Sequence, residues 1–186
     1  RARPTPLPFA AEPPPRAGQA LAAADALGLV QPDEPFVLFV ATLESRKNHL
    51  LVFQAWLELV RRLGAARVPK LLCIGRAGWR AEAALALRER SPELRRKVVM
   101  AAGVSDLALA GLTQRCLFGV YNSFHEGWGL PVTESLAAGK PCVVPAHSGL
   151  VEAGAPGAVF FPPGDLPALV ATLERLVTDP AHLAAA

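Results

Sequence analysis

The chain has 186 residues, 52% of them apolar, and a mean hydropathy of +0.29. That is enough for one substantial core, while no uninterrupted apolar run approaches the roughly 20 residues that cross a bilayer. The 19 basic and 16 acidic residues leave a net charge of +3, and without a lysine-rich tract or an arginine–aromatic array this argues against a nucleic-acid partner.

Residues 1–16 are crowded with prolines that keep a backbone extended, and they are expected to be a linker from a preceding N-terminal domain. The start RARPTP has neither an initiating Met nor an apolar leader, which fits the middle of a longer polypeptide. Residues 17–186 are then expected to form one domain. Residues 17–29 are rich in alanine and leucine and read as a short helix that stops at Gly28.

From Phe36 onward short apolar runs alternate with longer stretches of helical period. Candidate strands are 36–42, 70–75, 98–103, 117–123, 142–146 and 158–161. Each is continuously apolar rather than alternating, which requires burial on both faces and so a parallel sheet covered by helices. Between the first two runs Leu50, Phe53, Leu57 and Val60 recur at helical spacing, behind Asn48 as N-cap and ahead of Gly64 as stop. Further helices are expected over 79–90, 106–115, 131–138 and 165–177. The pattern is α/β: a Rossmann-like, doubly wound parallel sheet of about six strands flanked by helices. Cys73, Cys116 and Cys142 sit among aliphatic residues without CxxC spacing, which makes them core residues of a protein in a reducing compartment.

Ligands of such sheets bind beyond the carboxyl ends of the strands, and two strand-to-helix loops carry suitable chemistry. The first reads ATLESRKNHLL, with Arg46 and Lys47 directly ahead of a helix. Cations there oppose the helix dipole unless an anion such as phosphate sits between them and the first free amides. The loop lacks GxGxxG and GxxxxGK[ST], so neither a dinucleotide fingerprint nor a P-loop is present. The second loop reads FHEGWGLPVTESLAAGKP, with Pro131 at a helix start and Gly139 at its end. Gly127 and Gly129 allow a ligand close to the backbone, and Glu126 and Glu134 flank the turn as carboxylates able to grip vicinal diols.

Together ESRKN, VSD at 104–106, the HEGWGLPVTESLAAGKP stretch and HSGLVEA resemble the C-terminal, donor-binding domain of retaining glycosyltransferases of family 4, which have the GT-B fold. The resemblance runs over roughly residues 17–179. It implies that the chain is the C-terminal half of a GT-B enzyme, with Lys47 on the donor diphosphate and Glu134 on the nucleotide ribose. Glu126 and the amides of Gly127, Trp128, Gly129 and Leu130 would hold the transferred sugar. The family's second basic residue is replaced by Thr42, after Ala41 in place of the usual glycine, and Arg46 is expected to take over that contact.

The resemblance further implies transfer of a hexose from a nucleoside-diphosphate sugar, GDP-mannose ahead of UDP-sugars, with no metal and no other cofactor. No aspartate cluster for magnesium is present in the sequence. The acceptor, a glycan or a lipid-linked glycan, would be held by the N-terminal domain, so the isolated chain is expected to bind nucleotide weakly and transfer nothing. The full enzyme is expected in the cytoplasm, peripherally at the inner face of the membrane, in polysaccharide synthesis. His125 adjoins the sugar-binding positions, while His49 and His147 read as structural. A nucleotide-binding or interaction module without turnover is the alternative the same fold allows.

Overall fold

The computed structural model describes residues 17–186; the expected linker at residues 1–16 lies outside the described residues. In chain order the elements are α1 (Ala17–Asp25), β1 (Phe36–Val40), α2 (His49–Leu63), β2 (Lys70–Ile74), α3 (Glu82–Arg90), α4 (Pro92–Lys97), β3 (Val98–Ala101) and α5 (Asp106–Arg115). They continue as β4 (Gly119–Val120), α6 (Leu130–Ala137), β5 (Cys142–Pro145), α7 (Gly149–Gly154), β6 (Ala158–Phe161), α8 (Leu166–Thr178) and α9 (Pro180–Ala185). All strand pairs are parallel, in the order β3-β2-β1-β4-β5-β6. This is the expected Rossmann-like sheet of six strands. None of the described helices is long and apolar enough to cross a membrane.

Strand β1 shows why the apolar runs are continuous. Val37 and Phe39 join the core under α2 and α8, whereas Phe36 and Leu38 join a second cluster under α1 and α5. Successive side chains point to opposite faces, and here both faces are dry. Helix α2 starts where expected: Asn48 adopts a left-handed conformation (φ 43°) and its side chain accepts a hydrogen bond from Leu51 N at 3.3 Å. Trp56, fully buried on α2, keeps its indole N–H satisfied on Pro69 O at 3.1 Å. The three cysteines are buried and form no disulfide.

Several boundaries differ from the expected ones. Strand β4 has two residues instead of seven, although single backbone bonds of Leu117 N to Phe36 O and Tyr121 N to Val143 O, both at 2.9 Å, flank it; a Cβ at Gly119 would stand 2.8 Å from Ser135 Oγ of α6. Beyond Tyr121, Asn122 turns away to donate to Asn48 O at 3.2 Å. Helix α3 starts three residues late because the preceding chain is occupied: Ser45 N donates to Trp79 O at 3.2 Å, and Arg80 has φ 55°. Helices α4, α7 and α9 were not expected; each has six residues, too few to display a period.

The strand order reverses between β1 and β4. In open α/β sheets ligands bind at such a switch point, beyond the carboxyl edge of the sheet.

Candidate functional site

Residues 41–48 follow β1 and residues 121–129 follow β4, so the switch point brings together the two loops that carry the expected site residues. Ser45–Lys47 forms a 3-10 turn before Asn48 reverses the chain into α2. The loops are stitched by Phe124 N donating to Arg46 O at 2.9 Å, besides the Asn122–Asn48 bond. A third loop braces the second: Glu126 N donates to Ser148 Oγ at 3.2 Å and Gly149 N to Glu126 O at 3.1 Å. Only glycine fits at 149, because a Cβ there would lie 2.2 Å from Gly127 O.

This framework produces a polar junction on one carboxylate oxygen. Glu126 Oε1 accepts from Lys47 Nζ at 2.5 Å, Arg46 Nη1 at 2.8 Å and the Tyr121 hydroxyl at 3.1 Å. Lys47 Nζ also donates to the Tyr121 hydroxyl at 2.6 Å and lies 5.1 Å from the centre of its ring. Arg46 spans further to Glu44 at 2.9 Å. The Lys47 and Glu126 side chains are each 11% exposed and Arg46 is 49% exposed. Water therefore screens the arginine pair far more than the lysine pair.

Burial by itself would raise the pKa of Glu126, but the Lys47 hydrogen bond and charge, then Tyr121 and Arg46, outweigh it and hold the carboxyl below its ordinary value. The Tyr121 phenol is pushed well up, first by burial and then by the neighbouring carboxylate. The junction is a fixed lysinium–carboxylate pair joined by a neutral phenol.

A cleft of about 820 Å³ opens over this junction. Thr42, Arg46 and Lys47 border it from the β1 side and Glu126, Gly129 and Leu130 from the β4 side. Arg76 after β2 and Gly103 after β3 also line it. Six of the nine expected site residues thus share one hollow. Gly127 and Trp128 do not border it; they belong to the part of the loop packed toward Gly149. Glu134 does not border it either, because α6 begins at Leu130 and residue 134 lies more than a turn along the helix. Although Glu134 is exposed overall, protein around its carboxyl raises its pKa, and the Asp106 carboxylate adds to the effect. A second hollow, about 630 Å³ at the opposite edge of the sheet, has Lys140 as its one charged lining residue.

The histidines divide by role. His49 is buried against Phe39, with ring centres 4.3 Å apart, and burial followed by the Lys47 charge lowers its pKa to about 4. His147 bridges Ser123 O at 2.9 Å and Ser148 Oγ at 2.8 Å, a structural tie between loops. His125 is exposed and accepts Arg46 Nη1 through its carbonyl at 3.2 Å. Sequence reasoning missed Tyr121 and Arg76. Tyr121 is the one tyrosine of the chain and stands inside an apolar run, which was its only signal; Arg76 is the first charged residue after the second strand.

Comparison with known proteins agrees with this picture. The profile of the family described as Glycosyl transferases group 1 matches residues 27–186. The O-antigen chain mannosyltransferase B of Escherichia coli is 30% identical over 145 residues, 77% of this chain and 37% of that protein. The crystal structure of a glycosyltransferase from Rickettsia africae superposes with a TM-score of 0.75 at 18% identity, over 91% of this chain and 44% of the other. Anabaena HepE, solved in complex with UDP-glucose, has a TM-score of 0.71 at 17% identity, over 91% of this chain and 46% of the other. These two likenesses speak to the fold, and the chain spans less than half the length of each of these relatives.

Proposed function

The chain belongs to the glycosyl transferases group 1 family, and from that premise we propose that the cleft at the β1–β4 switch point binds a nucleoside-diphosphate sugar and presents its sugar for transfer. One observation carries the reading: Lys47 and Glu126, from different loops and 79 residues apart, meet at 2.5 Å on the floor of one hollow. The cations now hold an internal anion, the Glu126 carboxylate. A donor diphosphate entering the cleft would compete for them, with the first amides of α6 adding fixed dipoles.

In the proposed reaction the bond from the anomeric carbon to the phosphate oxygen breaks. The acceptor oxygen bonds that carbon on the same face, and its proton passes to the departing phosphate, so configuration is retained. Arg46 and Lys47 stabilise the charge developing on the leaving group, without a metal ion. Glu126, released from part of its pairing, is placed to accept from hydroxyls of the transferred sugar. The names of the mannosyltransferase relatives support mannose as the transferred sugar, for which we propose GDP-mannose as the donor, and the UDP-glucose complex of the Anabaena protein keeps UDP-sugars in the same proposal. Acceptor binding, to a glycan or lipid-linked glycan at the inner face of the membrane, is assigned to a separate N-terminal domain.

Calorimetric titration of GDP and UDP into the chain tests the proposal. Weak binding is expected, reduced more than about tenfold by Lys47→Ala, as for loss of a charge-assisted bond to phosphate. Glu134→Ala should act less, since Glu134 does not border the cleft. Absence of binding by both nucleotides, or an unchanged Lys47→Ala, overturns the reading.

A further inference from the structure

The cleft contains a third cation. Arg76 follows β2 on a loop pressed against the β1 tip: Leu43 N donates to Arg76 O at 2.9 Å and Gly78 N to Leu43 O at 2.8 Å. The loop has no slack. A Cβ at Gly75 would lie 1.9 Å from Ala41 O, and one at Gly78 would lie 3.0 Å from Leu43 O. The backbone is thus already seated, and Arg76 borders the same hollow as Lys47 and Glu126.

Charge sets Arg76 apart from its neighbours. Arg46 and Lys47 face two carboxylates, Glu126 and Glu44, so that group is neutral as a whole. Among the described residues Arg76 has no acidic partner, and its side chain is exposed to the cleft. It supplies the excess positive charge that draws an anion into the hollow.

Position then assigns the anion. Tips of neighbouring strands stand about 4.8 Å apart. Glu126 follows β4, Lys47 follows β1 and Arg76 follows β2, so Arg76 lies one strand beyond Lys47, on the side away from Glu126. A nucleoside-diphosphate sugar has the order sugar, outer phosphate, inner phosphate, nucleoside. With the sugar at Glu126 and the outer phosphate at Lys47, the next group along is the inner phosphate. We propose that Arg76 is a donor-binding residue that holds the phosphate adjoining the nucleoside. The inference rests on the donor-site reading and goes beyond it by giving the two phosphates separate cations.

The test is calorimetry with guanosine, GMP and GDP, and with the uridine series, on the wild-type chain, Arg76→Gln and Lys47→Ala at two salt concentrations. Arg76→Gln should weaken the monophosphate and the diphosphate alike, by about tenfold, leave the nucleoside unchanged and flatten the salt dependence. Lys47→Ala should weaken the diphosphate more than the monophosphate. If Lys47→Ala acts but Arg76→Gln changes nothing, or changes the diphosphate alone, the Arg76 assignment fails while the donor site stands. If Arg76→Gln acts and Lys47→Ala does not, the donor reading fails and Arg76 remains only an anion site. If the wild-type chain binds none of these ligands, both fail.

Discussion

Lys47 and His49 are two residues apart and serve two regions that meet at the same corner, the cleft above the sheet tip and the aromatic core beneath it. Lys47, with its side chain 11% exposed, donates to both the Glu126 carboxylate and the Tyr121 hydroxyl. His49, 2% exposed between Phe39 and Phe53, has no partner for Nδ1 and stays neutral. Both groups are basic and both are shielded from water. What separates them is a counter-charge: burial removes a proton unless a partner makes the ionised form worth keeping.

The contrast is sharpest against pH, where His49 should show the largest effect. Its folded pKa of about 4 lies below the ordinary 6.5, so between those values the unfolded chain binds a proton that the folded chain refuses. Stability is then complete above pH 6.5 and falls by about 3 kcal/mol as pH drops toward 4. Urea denaturation across this range should show that slope in the wild type, and His49→Phe, which keeps a flat ring against Phe39, should remove it. An equal slope in the variant would assign the titration to other groups.

On the cleft side the sign of the acid limb lies with Glu126. Its depressed pKa contributes stability that is present above the ordinary carboxylate value of 4.5 and disappears as pH falls through the folded value. Glu126→Gln should cost about 2 kcal/mol at neutral pH, less than the ~3–5 kcal/mol of a fully buried pair because Arg46 retains Glu44. The gap from the wild type should close in acid. A gap of the same size at pH 3 and pH 7 would show that packing, not charge, is lost. Tyr121→Phe is the mildest of the three changes. It preserves the edge contact with Phe39, whose ring centre is 6.3 Å away, and removes only the hydroxyl, for an expected loss of about 1 kcal/mol in thermal or urea unfolding. No loss would mean that the two cations hold Glu126 without help.

Much of the fold was legible because each strand is a local run of apolar residues and each long helix a local period. The runs at 36–42 and 70–75 became β1 and β2 nearly in full. The same local signals misjudged β4, because an apolar run does not report how many of its residues find ladder partners on both neighbouring strands, and they passed over α4, α7 and α9, which are shorter than two helical turns. At the site, Arg46, Lys47 and Glu126 were legible from their loops, as charged residues beside glycines and helix starts. Tyr121 was not, since within an apolar run a tyrosine looks like any other core ring. Glu134 was expected to face the crevice with Glu126, but the register of α6 carries it past the rim.

Chemical type and local period were therefore settled by the sequence itself: an α/β chain with parallel strands, two loops of opposite charge character and cysteines meant for the interior. Which loops would meet was decided only by the order of the strands. The reversal between β1 and β4 sets residues 47 and 126 side by side, and the same packing fixes whether a buried base is given a carboxylate, as Lys47 is, or only aromatic carbon, as His49 is. Electrostatic energy depends on distances and dielectric surroundings in three dimensions, and neither can be read from separation along the chain.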